Sequence, residues 1–249
     1  MSDHGAPGGG EQGAPAGSHA KPLLLLCLFV VGLNLNLAVL GFVPALVGVD
    51  LKENPTGYVY VVLSAQAALS TAFLCLLWYV LRKAGQGLGA VGLRFRSLRR
   101  DVLFGVWTYL QVLPLIAASV LVVAFVLTRL GVSLQRSMVH EMAAESARHA
   151  ASALAFAAMA SVVAPVLEET LFRGLLYTSL RGWLGFWPAA VVSAACFAMM
   201  HVGASRLPTA ILGLALAWTY ERSGSLVPAI AAHALHNALL YGALLLVSR

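Results

Sequence analysis

Glu168 and Glu169 stand side by side, with Arg173 four residues on, inside an apolar run that begins near Ala151 and continues to about Leu180. A charged side chain at the centre of a bilayer costs roughly 2.5–3.5 kcal/mol on insertion scales, so adjacent carboxylates in such a run need partners and a purpose. Residues four apart on a helix lie about 40° from each other around its axis, so Glu169 and Arg173 share a face and can pair, while Glu168 points about 100° away. The spacing predicts a division of labour in which Arg173 neutralises Glu169 and the pair supports the site, leaving Glu168 to face an interior cavity. Spacing four recurs downstream in Phe197 and His201, and again in His233 and Asn237, with His236 about 60° to the other side of His233. One carboxylate, two imidazoles and an amide can surround a single water. Glu168 would take a proton from it and return that proton to a leaving amine. His201, His233 and Asn237 would orient the water or stabilise a developing oxyanion, with Phe197 as a further supporting residue.

The elements that must position these groups are membrane helices. The chain has 249 residues, 60% hydrophobic and 10% charged, with a mean hydropathy of +0.84, far above that of a soluble domain. Apolar runs at about 22–49, 57–81, 102–128, 151–180, 187–202, 207–220 and 226–247 mostly reach the ~20 residues a spanning helix needs. The expectation is an all-α, polytopic transmembrane helical bundle of about seven spans, with the fifth and sixth short. The net charge of +6 does not point to nucleic acid, because the positives flank apolar runs. Arg82, Lys83, Arg94, Arg96, Arg99 and Arg100 fall between the second and third spans, while the preceding loop offers Lys52 against Asp50 and Glu53. The positive-inside rule places 82–101 and the N-terminus in the cytoplasm, and the C-terminus outside if the spans number seven. Strict alternation then puts His201 near the outer end of the fifth helix and His233 near the inner end of the seventh. For the two to meet, segments at 181–207 must be short, tilted or partly re-entrant.

Residues 1–21, with Gly8, Gly9, Gly10 and scattered Pro, Ala and Ser, read as a disordered tail rather than a cleaved signal. Residues 22–249 form a single transmembrane domain, with the chemistry at about 151–247. Asn34, Asn36, Ser64, Gln66, Ser70 and Gln111 lie within apolar runs and are expected to bond between helices. Leu134, Met138 and Met142 recur four apart, with Gln135, Arg136, Glu141, Glu145 and Arg148 elsewhere on the turn, so 132–148 reads as a helix lying in the interface. Cys27, Cys75 and Cys196 are expected to be packing residues, with no disulfide framework or Cys-based metal site. No repeat, phosphate-binding glycine loop or His-Glu-x-x-His string occurs.

Glu168-Glu169-x-x-x-Arg173, then Phe197-x-x-x-His201, then His233-x-x-x-Asn237, in that order, resembles the motif set of the CAAX-protease and bacteriocin-processing family of intramembrane proteases. All three motifs are intact and span roughly 160–240; the first three spans carry no matching motif. The resemblance implies a membrane-embedded endopeptidase in which Glu168 activates water. His201, His233 and Asn237 position it or stabilise the tetrahedral intermediate, and Glu169 and Arg173 support the site. Family members include enzymes that trim prenylated CAAX proteins and bacterial proteins that process bacteriocins or confer immunity. The implied partners are a protein or peptide substrate, lipid-modified or otherwise membrane-associated, and membrane lipid.

No cofactor is favoured. If zinc were used, Glu168, His201 and His233 would be its ligands with water in the fourth position, but Asn is a poor zinc ligand. Two other classes stay open: an ion- or proton-coupled transporter, against which the lack of internal symmetry counts, and a non-catalytic membrane partner such as an immunity protein. The Ala, Leu, Gly and Val content points to the cytoplasmic membrane of a bacterium with a GC-rich genome.

Overall fold

The computed structural model describes residues 20–95, 97–132 and 138–247, and among them every regular element is helical. The tail at 1–19 lies outside the described residues, as do Leu134, Gln135 and Arg136 of the expected interfacial helix. The elements in order are α1 (Ala20–Gly41), α2 (Val43–Val47), α3 (Pro55–Lys83), a 3₁₀ turn (Leu88–Val91), α4 (Leu98–Arg129) and α5 (Met138–Ser146). Then follow a continuous helical run α6 (Ala150–Leu184), α7 (Phe186–Met199), α8 (Arg206–Ser223) and α9 (Leu226–Val247).

Each expected apolar run falls on a helix. Five helices, within α1 and across α3, α4, α6 and α9, are long and apolar enough to cross a membrane. The two short runs are α7, whose 14 residues reach only about 21 Å, and α8, which carries Arg206, Glu221 and Arg222 near its ends. Outward faces are apolar as lipid requires, with Trp107, Leu121 and Phe125 of α4 all largely exposed. Cys27 and Cys75 are on exposed faces rather than packed inside, and Cys196 is half-buried; all three thiols are free.

α7 and α8 pack as a hairpin that starts and ends at one end of the bundle. Gly185, at φ 79°, makes the sharp turn from α6 into α7, a backbone region that side chains with a Cβ rarely adopt. Where α8 returns, Glu221 accepts from Arg181 Nε at 3.0 Å and Nη2 at 2.7 Å and from the Tyr177 hydroxyl at 2.6 Å, tying the ends of α6 and α8 together. The α3–α4 loop closes the same end. Gly92, at φ 83°, turns its carbonyl to accept the Leu226 N–H at 2.8 Å, and Ser225 Oγ donates to the Arg94 carbonyl at 2.8 Å, so the loop caps the start of α9. His201 at the hairpin tip and His233 two turns into α9 therefore come within one ring of each other, because α7 is too short to carry His201 across a full bilayer.

Of the polar residues expected to bond between helices, Gln66 does so: Nε2 donates to Asn36 Oδ1 at 2.6 Å and to Ser70 Oγ at 3.2 Å. Asn34 and Ser64 instead donate to their own helices, at the Val30 and Tyr60 carbonyls, which satisfies a side chain without a partner helix. Helix α5 docks against the start of α3 and the end of α9: Glu145 accepts from Thr56 at 2.7 Å, and Ser146 and Tyr241 share a hydroxyl bond of 2.8 Å.

α4 crosses α9 closely at Gly105, where a Cβ would run into the Pro228 carbonyl oxygen and sit 3.1 Å from Ala231 Cβ. Backbone cannot yield as a flexible side chain does. Gly105→Ala is expected to cost about 1–3 kcal/mol, the usual range for overpacking, and Gly105→Leu more, measured by unfolding of the purified protein in bicelles; unchanged stability of both would contradict this packing.

Candidate active site

The site is built on an irregular helix. Within α6, Met159–Val163 and Thr170–Tyr177 are π-helical and flank the α-helical turn that carries Glu168 and Glu169. Pro165 is the local cause of the first. The Ala164 N–H bonds to Met159 O, five residues back, and the donor that would continue the pattern to Ala160 O is Pro165, which has no N–H. Asn237 fills that gap: its Nδ2 donates to the Ala160 carbonyl at 2.8 Å, pinning α9 to α6 beside the carboxylates. The second π segment buries all eight of its residues, which places it at the centre of the bundle.

Glu169 and Arg173 are fully buried and paired at 2.8 Å, the pairing that their spacing predicts. Arg173 Nη2 also donates to the Gly213 carbonyl of α8 at 2.9 Å. The close approach is possible because Gly213 lacks a Cβ, which would press on Ala194. The same Glu169 oxygen that holds Arg173 accepts from His233 Nδ1 at 2.9 Å. Glu169 is therefore more than the partner of Arg173; it also orients an imidazole that sequence spacing had grouped with Glu168. Glu169 Oε2 and Arg173 Nε are buried with no hydrogen-bond partner among the described residues.

Glu168 keeps 23% of its side chain exposed, and its Oε2 lies 3.6 Å from His233 Nε2. That separation is too long for a hydrogen bond. Phe197 is the hub of the cluster: its ring meets Phe172, His201 and His233 edge-on at centroid distances of 5.1, 5.1 and 5.4 Å, and carries the Arg173 guanidinium at 4.7 Å. His201 packs on the same ring as His233, with Nδ1 3.1 Å from the Phe197 carbonyl.

The partners assign the tautomers. A carbonyl and a carboxylate only accept, so neutral His201 and His233 each carry the proton on Nδ1 and present an Nε2 lone pair. The structure thus brings together Glu168, Glu169, Arg173, Phe197 and His233, packs His201 against the Phe197 ring, and uses one Asn237 N–H on the backbone of α6. His236 belongs to none of the spaced motifs; its Nδ1 lies 3.2 Å from the Tyr109 hydroxyl of α4, with the rings edge-on at 5.7 Å. Tyr109 had no signal in the sequence, since one tyrosine in an apolar helix is indistinguishable from a packing residue.

As for zinc, no three His, Cys, Asp or Glu side chains among the described residues stand together as a group that could hold a metal. Glu168, His201 and His233 are not such a group.

Removing one member of a fully buried pair leaves an uncompensated charge. Arg173→Met should cost about 3–5 kcal/mol in folding stability, with part of that loss recovered when Glu169→Leu is added, as read by unfolding in bicelles. A single-variant loss below about 1 kcal/mol would mean that the pair is not desolvated as its geometry indicates.

Residues 150–239, little more than a third of the chain, match a protein-family model, Rce1-like, described as type II CAAX prenyl endopeptidase Rce1-like. No curated protein and no solved structure shows a significant match. The matched segment holds all three motifs, so the similarity to the Rce1-like family rests on the whole 150–239 segment as well as on motif spacing, in a multi-pass membrane protein with five helices long and apolar enough to cross a bilayer.

Proposed function

We propose that the chain is an intramembrane endopeptidase that hydrolyses a peptide bond in a protein or peptide substrate, with Glu168 as the base that activates water. The observation that carries this reading is the contrast between the two carboxylates. Glu169 is enclosed and committed to Arg173 and His233, while Glu168 is partly open and faces His233 Nε2 at a distance that leaves room for adjustment around a small molecule. An open carboxylate beside an imidazole lone pair can hold a water between two acceptors, and that raises the electron density on its oxygen.

In this mechanism the water oxygen bonds to the carbonyl carbon as Glu168 takes one proton, and the carbonyl electron pair moves to oxygen. Collapse of the tetrahedral intermediate breaks the C–N bond, and Glu168 passes its proton to the leaving nitrogen. His233, fixed by Glu169, orients the water through Nε2. His201, packed on Phe197, does the same, and the second N–H of Asn237 is available to the intermediate. The name of the matched family directs the first substrate choice: a peptide with a prenylated cysteine near its C-terminus. The end of the bundle holding Arg82, Lys83, Arg94, Arg181 and Arg222, with Arg82 and Arg222 over Trp78 and Trp218, is taken as the cytoplasmic side.

Glu168→Gln keeps the shape and removes the base. In proteoliposomes carrying a farnesylated peptide it should lower cleavage by ~10²–10⁴-fold while yield and melting temperature hold. Full activity would sink the mechanism, and unchanged biological function of the variant would favour a non-catalytic membrane partner. For the metal question, activity should survive chelation; stoichiometric zinc lost together with activity would overturn the glutamate reading.

A further inference from the structure

Arg206 opens α8 at the hairpin tip, 15 positions before Glu221, which puts it about 22 Å along the helix from the cation-rich end. A hydrocarbon core is ~30 Å thick, so an arginine at that depth needs an anion or a route to the far headgroups. The side chain is exposed and has no ion-pair partner among the described residues. It is nevertheless tethered to the site, because Nε donates to the His201 carbonyl at 3.0 Å. Nη1 and Nη2 make no hydrogen bond among the described residues, and their N–H groups form the fork that fits a carboxylate.

Thr209, one turn further along α8, is a second group without a mate. It is 7% exposed, and its hydroxyl makes no hydrogen bond among the described residues, whereas every other buried Ser and Thr there has one. Gly213 fixes where this face of α8 looks: a Cβ there would sit 3.0 Å from Ala194 Cβ and 3.4 Å from Arg173 Nη2, and the Gly213 carbonyl accepts from Arg173 at 2.9 Å. Arg206, Thr209 and Gly213 fall within an arc of about 60°. The free hydroxyl and the free guanidinium therefore follow, in that order, from the ion pair behind Glu168 and His233 to the hairpin tip.

The length of this face suits the end of a peptide. From Gly213 to Arg206 the helix rises about 10 Å, and three extended residues cover about 10–11 Å. A prenylation motif ends three residues beyond its modified cysteine, so a substrate with that cysteine's carbonyl at Glu168 brings its terminal carboxylate level with Arg206. We propose, resting on the hydrolytic reading, that Arg206 is a specificity-determining residue whose Nη groups pair with the free α-carboxylate of a substrate ending three residues past the cut, while the Thr209 hydroxyl bonds the main chain of the departing segment. No bond to Arg206 forms or breaks; the segment leaves with its new amine and its original carboxylate. A chain that continues past this point, or ends in an amide, leaves the guanidinium unpaired at depth and is rejected on that account.

The test uses the full chain in proteoliposomes of neutral lipid, with two farnesylated peptides that end three residues past the cysteine in a free carboxylate or in a carboxamide. The unaltered protein is expected to favour the acid by ~10²-fold in kcat/KM. Arg206→Gln should lose that preference by cleaving the acid more slowly and the amide as before, and Arg206→Lys, which keeps the charge without the fork, should restore part of it. Thr209→Val should lower kcat/KM on the order of tenfold for both peptides. Equal cleavage of acid and amide by the unaltered protein overturns the proposal without recourse to any variant. So does a preference that survives Arg206→Gln, or full kcat/KM in Thr209→Val. A loss in Arg206→Gln that is equal for both peptides and appears only when anionic phospholipid is added assigns the guanidinium to a lipid phosphate, and overturns it too. These failures, with Glu168→Gln still inactive, leave the hydrolytic reading intact; an active Glu168→Gln, or an unaltered protein inactive on both peptides, refutes that reading and with it this one.

Discussion

A guanidinium and a carboxylate, both fully withdrawn from solvent and 2.8 Å apart, set the terms for the rest of the site. Desolvating two charges costs several kcal/mol for each, and their attraction offsets this only when the geometry is good and the remaining hydrogen-bonding capacity is met. Arg173 therefore draws in the Gly213 carbonyl from α8 and the face of Phe197 from α7, and Glu169 draws in His233 from α9. Three helices are thus held against α6 by one ion pair. Glu169 Oε2 and Arg173 Nε have no protein partner among the described residues, and replacing a buried ion pair by an apolar pair of similar volume is often neutral or stabilising.

The backbone of α6 makes this convergence possible. π-helical turns inside long helices occur mostly at functional sites because they change the phase of the side chains that follow. Here the turn bearing Glu168 and Glu169 lies between two such segments, and Pro165 leaves a carbonyl that only a side chain from another helix can satisfy. Asn237 meets that need. It ties the depth of α9 to that of α6, so the imidazole one turn earlier, His233, reaches Glu169 at 2.9 Å. A histidine at the tip of a short hairpin then packs on Phe197, and the Arg181–Glu221 pair ties the hairpin's return to α6.

Much of the fold was legible in the sequence, because hydrophobicity within a bilayer reports directly on helix content. The apolar runs mark the helices, and the cations crowd the end where α3, α4 and α8 begin or finish. The number of crossings was less legible. Residues 187–202 and 207–220 are apolar enough to suggest spans, but whether a run of that length crosses, tilts or turns back depends on what it packs against. Gly185, and the Tyr177, Arg181 and Glu221 contacts, decide that α7 and α8 form a hairpin. Within 132–148 the described residues form α5, which docks on the bundle through Glu145 and Ser146.

Within the site, the sequence by itself determined what lies one helical turn apart. It made Glu169 and Arg173 a pair, put Phe197 beneath His201 and set His233 and Asn237 on one face, because a helix fixes i and i+4 neighbours whatever surrounds it. It could not determine which carboxylate His233 would find, that Asn237 would serve a carbonyl orphaned by Pro165, or that His236 would face a buried tyrosine from α4. Those partnerships cross 64, 77 and 127 residues of chain. They are settled only when helices pack and each buried donor and acceptor must find a mate in a medium that offers no water.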